Sequence, residues 1–177
     1  MFFHVRDLEL KPVGFDVELP PGTIEFLDPK LKQSEPLQAS GKAELVMGSL
    51  GEIRVTGQVK VRLQSECDRC LEPAGFPIDS SFELYYRPVA DGYGEEKSLD
   101  AGEAEMGFYE GDGLELNDVL REFVLLALPM QKLCNENCKG ICPVCGQNRN
   151  QKECRCQSNA GDDRWAALKE IRKNAES

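Results

Sequence analysis

Eight cysteines and one histidine are the thiols and imidazole available to this chain of 177 residues. Six of the cysteines lie in "LCNENCKGICPVCGQNRNQKECRC", as Cys134, Cys138, Cys142, Cys145, Cys154 and Cys156. The other two, Cys67 and Cys70, lie in "CDRC". Thiolates in such clusters are soft metal ligands, and zinc takes four of them in a tetrahedron at about 2.3 Å from each sulfur. A C-x-x-C turn brings two sulfurs to one ion with little strain. In "CPVCG", Pro143 fixes φ directly after Cys142, and Gly146 can turn left-handed after Cys145. Backbone N–H groups can then face the sulfurs and offset their charge. Cys154 and Cys156 are two apart, so in an extended segment both thiols point the same way.

The simplest site is therefore Cys142, Cys145, Cys154 and Cys156. Cys67, Cys70, Cys134 and Cys138 remain as a second set, giving one or two structural zinc ions. An interleaved pairing, or a CDRC pair without metal, satisfies the same spacings. Two other chemistries use such residues. A thioredoxin-like C-x-x-C needs a helix N-terminus to lower its thiol pKa, whereas "CDRC" runs into "LEPAGF" and a strand pattern. An iron–sulfur cluster also takes four thiolates, but the knuckle pattern favours zinc.

Hydrolysis is poorly served. His4 is the only histidine and no chemistry is assigned to it. Four thiolates would fill a zinc ion and leave no position for water. The expectation is a protein that is not an enzyme, with no catalytic residues.

Composition and charge narrow the setting. The chain is 41% hydrophobic and 29% charged, a globular balance. Its longest apolar run, "FVLLALPM", is far too short to span a bilayer. "MFFHVRDLEL" does not read as a secretory signal. These features lead us to expect a cytoplasmic protein with no membrane association. Thiols are held reduced there, which favours metal over a disulfide framework. The net charge of −10 argues against generic affinity for nucleic acid. Residues 1–128 carry 12 basic and 25 acidic residues, whereas residues 129–177 carry nine basic and six acidic.

The elements that must position the cysteines follow from periodicity. "EIRVTGQVKVRLQ" alternates strictly, with Ile53, Val55, Val59, Val61 and Leu63 on one face, and predicts a long half-buried strand. "KAELVM" alternates likewise and predicts a hairpin partner through "GSLG". "FPIDSSFELYY" predicts the next strand, with "CDRCLEPAG" as the intervening turn. "VGFDVEL" and "TIEF" are further candidate strands, and "LKQSEPLQAS" reads as a loop. Residues 91–118 carry ten acidic residues against one lysine and read as an exposed loop without the residue order of a calcium site. "LNDVLREFVLLALP" predicts a helix capped by Asn117, stopped by Pro129 and buried on most sides. "DDRWAALKEIRK" predicts a terminal helix.

The fold class expected is α+β: an antiparallel sheet, as a meander or partly open barrel, with one buried helix. A cysteine-rich, zinc-binding C-terminal segment ends in a helix. The division expected is 1–128 for the sheet with its helix and 129–177 for the zinc-knuckle tail.

The order of these motifs carries a resemblance. C-x-x-C in a sheet, "REFVLLALP", "LCNENCKGICPVCGQN", "CRC" and "DDRWAALKEI" together resemble the YceD-like family, the large ribosomal RNA subunit accumulation proteins. The likeness covers roughly residues 50–177, and the "LC-x-x-x-C-x-G-x-C-P-x-C-G" run is its most specific part. The family's pattern after the knuckle reads N-L-N, where this chain has Asn148-Arg149-Asn150. The resemblance implies a role in maintaining large-subunit RNA and no established catalytic residues. The expected partner is the large-subunit precursor, met mainly through a basic ribosomal protein, with Arg149, Lys152 and Arg155 adding local RNA contacts. The rival expectations are a zinc-ribbon nucleic-acid binder outside ribosome assembly and a C-x-x-C thiol oxidoreductase.

Overall fold

The computed structural model describes residues 1–89 and 106–156. In chain order the elements are β1 (Phe2–His4), α1 (Val5–Leu10), β2 (Val13–Leu19), β3 (Lys32–Gln33) and β4 (Leu37–Leu45). They continue with β5 (Ile53–Glu66), β6 (Pro73–Pro88), β7 (Met106–Tyr109), β8 (Gly113–Glu115) and α2 (Leu116–Ala127). The main sheet runs β2-β4-β5-β6-β7, and β3 pairs with β5 beyond the end of β4. β1 and β8 form a separate two-stranded ribbon.

The alternation in β5 acts as expected. Ile53, Val55, Val59, Val61 and Leu63 are buried, and the polar residues between them lie on the other face. The same period continues through buried Ser65 to buried Cys67, so the strand itself carries the first thiol to the buried side. β5 and β6 pair antiparallel from Ile53↔Tyr86 to Glu66↔Pro73, leaving 67–72 as the turn. The meander of β4, β5 and β6 is thus present.

One row ties the sheet together. Phe15 pairs with Gly41, Gly41 with Gly57, and Gly57 with Phe82. The rings of Phe15 and Phe82 lie over the two glycines, where added Cβ atoms would come within 2.8 and 3.2 Å of them. Phe3 packs on Phe15 at 5.9 Å between centroids, and Phe123 of α2 packs on Phe82 at 4.9 Å. Two absent side chains therefore make room for the aromatic residues that join β1, the sheet and the helix.

α2 closes the core with Leu116, Val119, Leu120 and Val124. Their spacing is a single stripe, and burying each such side chain contributes about 1.5–3 kcal/mol.

Several expectations are corrected. The sheet is mixed, because β7 pairs parallel to β6. Among the described residues its edge strands β2 and β7 do not pair, so of the two forms expected it is the open meander and not a barrel. "TIEF" forms no strand, whereas "LKQSEPLQAS" contributes β3 and the start of β4. Pro36, which has no N–H, falls in the break between those two strands. "VRDLEL" forms the short helix α1. α2 begins before Asn117, because the Leu116 N–H bonds to the carbonyl of Met1 at 2.9 Å. Asn117 is therefore inside the first turn and not its cap. Nor is α2 buried on most sides, since Leu126 is 70% exposed. Within 91–118, residues 106–118 supply β7, β8 and the start of α2. The rest of that expected loop and the expected helix "DDRWAALKEIRK" lie outside the described residues.

Candidate metal centres

The cysteines gather into two sets of four: Cys67, Cys70, Cys134 and Cys138, and Cys142, Cys145, Cys154 and Cys156. Within each set every sulfur lies within 4.8 Å of the others. In the first set Cys67 Sγ is 3.8 Å from Cys138 Sγ, and Cys70 Sγ is 3.7 Å from Cys134 Sγ. A disulfide would bring two sulfurs to about 2.05 Å. A tetrahedral ion with ligands at about 2.3 Å separates them by about 3.8 Å along each edge. The spacing fits four thiolates around one ion, so both groups could hold a metal.

Two turns of the same geometry build the sites. The Cys67 N–H bonds to the carbonyl of Glu72 at 2.8 Å, and the Leu71 N–H to the carbonyl of Cys67 at 2.9 Å. The Cys142 N–H bonds likewise to Gln147 at 2.8 Å, and the Gly146 N–H to Cys142 at 2.9 Å. The residue after each second cysteine is left-handed, with φ of 62° at Leu71 and 72° at Gly146. "CDRC" is thus a knuckle of the same form as "CPVC". Its sequence hides this, because leucine occupies the position where glycine is expected.

The first set is a small core. Cys67, Cys70 and Cys138 are buried beside Ala74 and Phe76, with Leu128 and Leu133 packed against them. Two of its ligands come from the β5–β6 turn and two from beyond α2, so it draws on both sides of residue 128. The joint is reinforced by backbone. The Asp68 N–H bonds to the carbonyl of Lys132 at 2.8 Å, and the Lys132 N–H returns to Asp68 Oδ2 at 2.6 Å. Lys132 Nζ also reaches Asp28 Oδ2 at 2.9 Å. The second set is more open, since Cys145 and Cys156 are exposed and only Cys142 is buried.

The two sets are joined through residues that spacing alone did not single out. Asn150 Nδ2 donates to Cys138 Sγ at 3.2 Å, while Asn150 Oδ1 accepts the Lys139 N–H at 2.7 Å. Asn148 Oδ1 accepts the Asn150 N–H at 2.9 Å, and Ile141 and Asn148 form a β-bridge. The carbonyl of Arg69 accepts the Ile141 N–H at 2.9 Å. A Cβ on Gly140 would stand 2.9 Å from that carbonyl oxygen, so glycine permits the close approach.

Electrostatics within each set are those of crowded thiols. Burial alone would push Cys67 up, but backbone N–H groups of Cys134, Arg69 and Cys70 outweigh it and hold it at about 6. Cys142 is likewise held at about 6, chiefly by the N–H groups of Cys145 and Val144. Burial also opposes the ionised form of Cys138, but the Asn150 amide and the Gly140 N–H bring its pKa down. The remaining members respond in the opposite sense. The neighbouring Cys138 sulfur, then burial, pushes Cys134 up to about 12, and Cys145 does the same to Cys156. Four thiols this close cannot all ionise against their mutual repulsion. A divalent cation would remove that conflict.

Arg149, Lys152 and Arg155 are exposed near the second set. Among the described residues none of their side chains has an ion-pair or hydrogen-bonding partner. His4 is far in sequence from every cysteine and its Nδ1 lies 3.2 Å from Asp112 Oδ2. Among the described residues no helix is long and apolar enough to cross a membrane.

Comparison with known proteins adds a further finding. A family model described as large ribosomal RNA subunit accumulation protein YceD matches residues 55–172. A maize protein named large ribosomal RNA subunit accumulation protein YCED homolog 1, chloroplastic, is 28% identical over 133 residues, covering 60% of this chain and 45% of that one. An uncharacterized Mycobacterium bovis protein is 30% identical over 120 residues, covering 67% of this chain and 55% of its own length. The uncharacterized Bacillus subtilis protein YlbN is 23% identical over 174 residues, covering 97% of this chain and 94% of its own. The chain thus spans about half the length of the plant and mycobacterial relatives. No solved structure matches.

Proposed function

The chain belongs to the YceD family of large ribosomal RNA subunit accumulation proteins, and from that premise we propose that it is a non-enzymatic accessory factor for large-subunit RNA accumulation. The family match across residues 55–172 carries this reading. It acts in the cytoplasm by binding precursor particles of the large subunit. Each cysteine quartet holds one structural zinc ion, with all coordination positions taken by sulfur. The ions supply rigidity to a polar segment and no reaction chemistry.

Charge sets the form of the partnership. A zinc ion with four thiolates carries a formal −2, which reduces the basic surplus of residues 129–177 if the second site is filled. Tight nonspecific phosphate binding needs several basic contacts and a matching field. The acidic surplus of residues 1–128 opposes it. The principal contact is therefore a basic ribosomal protein on the particle. Arg149, Lys152 and Arg155 are exposed and add local contacts to RNA.

The test compares binding at physiological salt to naked large-subunit RNA and to precursor particles. Retention on particles but not on naked RNA is expected. Tight, sequence-selective binding to naked RNA, unchanged by added ribosomal proteins, would overturn the partner model and favour a nucleic-acid-binding ribbon.

A further inference from the structure

β2 is an edge strand. It pairs with β4 along its whole length, Val13↔Ala43 to Leu19↔Leu37, and the strand order ends with it. Among the described residues no backbone group bonds to its other side. Such an edge is a template for another strand, and proteins commonly blunt it with proline, lysine or a bulge. β2 has no proline, lysine or bulge, its sequence being "VGFDVEL" and its register with β4 unbroken, and the charges that guard its edge are both acidic. The part of β6 not paired with β7 contains Pro73 and Pro77.

What β2 does carry is negative charge on one face. Asp16 and Glu18 are two apart, so they point to the same side. Both are exposed. Their cross-strand neighbours are Ser40 and Gln38, which are neutral. Neither carboxylate makes an ion pair among the described residues, although other acidic groups on the sheet do, including Glu44 with Lys42 and Arg54. The two carboxylates line an open concavity of about 520 Å³ with Gln38, Ser40, Lys60 and Asp79. Lys60 is held by Asp79 at 3.8 Å.

These features select an occupant. A second copy of β2 would bring like charges together across the new ladder, which is unfavourable. A strand with lysine or arginine at alternate positions would pair its backbone with β2 and its cations with Asp16 and Glu18. We propose that the free edge of β2 receives an extended basic segment of a partner protein by strand addition. This identifies the contact through which the basic partner proposed above is held, and it rests on that reading for the partner's identity.

The experiment uses the full chain and a synthetic peptide that alternates lysine with threonine and valine. A second peptide has the same side chains but a methyl group on every backbone nitrogen, so that it keeps the cations but loses the backbone donors. Amide exchange in β2 should slow with the first peptide and not with the second. The double variant Asp16→Lys, Glu18→Lys should bind the first peptide about tenfold more weakly, because each favourable cross-strand pair becomes repulsive. Its circular dichroism and uncomplexed amide exchange check that it is folded. Equal binding of both peptides, or no added protection of the β2 amides that point away from β4, would overturn strand addition. Protection already present without peptide at the β2 amides that point away from β4 would show that the chain covers its own edge, which also overturns the proposal. Particle binding separates this from the functional reading. If the wild type binds particles and the double variant binds them equally, strand addition fails and the accessory role stands. If the wild type binds no particles while β2 is still protected by the peptide, the accessory role fails and the edge site stands.

Discussion

Cys67 and Cys138 stand 71 residues apart in the chain, yet their sulfurs are 3.8 Å apart. One ends the β5 alternation and the other follows α2, so an ion between them would fasten the polar tail to the sheet's longest hairpin. The consequence is a difference between the two sites. Cys138→Ser is expected to loosen the β5–β6 turn and the segment around Lys132. Cys145→Ser is expected to unfold only the segment around the second site and to leave the sheet folded. In small zinc peptides the apparent metal binding energy is about 10–16 kcal/mol, so loss of either ion should be evident. Residue-resolved amide exchange distinguishes the patterns. Global loss of protection in Cys145→Ser would mean that the second site and the sheet unfold as one unit.

The left-handed residue of each knuckle gives a pair of predictions of opposite sign. Leu71 has φ of 62° and is 56% exposed, so its side chain buries little. Leu71→Gly is expected to stabilise the protein by up to about 1 kcal/mol, the steric relief exceeding the entropy cost of glycine. Gly146→Leu at the matching position reverses the same balance and is expected to destabilise by up to about 1 kcal/mol. Chemical denaturation of the metal-loaded proteins measures both. Destabilisation by Leu71→Gly would mean that the leucine makes a contact that outweighs its backbone strain.

Much of this was legible in the sequence. The alternation of Ile53 to Leu63 located β5, and the spacing of Cys142 and Cys145 located a knuckle. What was not legible depends on pairing across distance. Nothing in "MGFY" announces a parallel partner for β6. The start of α2 depends on the carbonyl of Met1. "CDRC" has leucine where "CPVC" has glycine, so the likeness of the two turns shows only in the left-handed backbone of Leu71. Asn150 stood out only as part of a family pattern, because its contact to Cys138 requires the tail to fold back.

Asn150 is therefore expected to matter without being a ligand. Its amide bonds the Cys138 sulfur at 3.2 Å and fixes that thiolate's orientation. Asn150→Ala should weaken metal binding at the first site about tenfold or more, as loss of an outer partner commonly does. Competition with a chromophoric chelator measures it. Unchanged affinity at the first site would reduce Asn150 to a loop residue.

In the sheet, Gly41 has the least room. A Cβ there would meet the carbonyl oxygen of Thr56 at 2.1 Å and the ring of Phe15 at 2.8 Å. Gly41→Ala is expected to cost about 1–3 kcal/mol, the range for forced overpacking. The drop in denaturation midpoint checks this, and an unchanged midpoint would contradict the close β4–β5 packing.

Metal affinity should fall as pH falls, because protons compete with the ion for each thiolate. The sign follows from the thiols. Cys67 and Cys142 lie at about 6, below the ordinary thiol value of about 8.5. Both are ionised before metal arrives at pH 7.5 and protonate only as pH drops through about 6. Loading both sites at pH 7.5 should therefore release fewer than eight protons from the eight cysteines. Calorimetry in buffers of different ionisation enthalpy counts them. Release of all eight would show that the knuckle N–H groups do not lower these thiols.

The most direct measurement is the metal itself. Protein purified without chelator is examined by elemental analysis and by X-ray absorption at the zinc edge. The expected result is two zinc ions per chain, each with only sulfur in its coordination shell at about 2.3 Å. A folded chain without metal, in which all eight thiols titrate freely, would contradict the claim that two structural ions organise the tail and that the first of them holds it to the sheet.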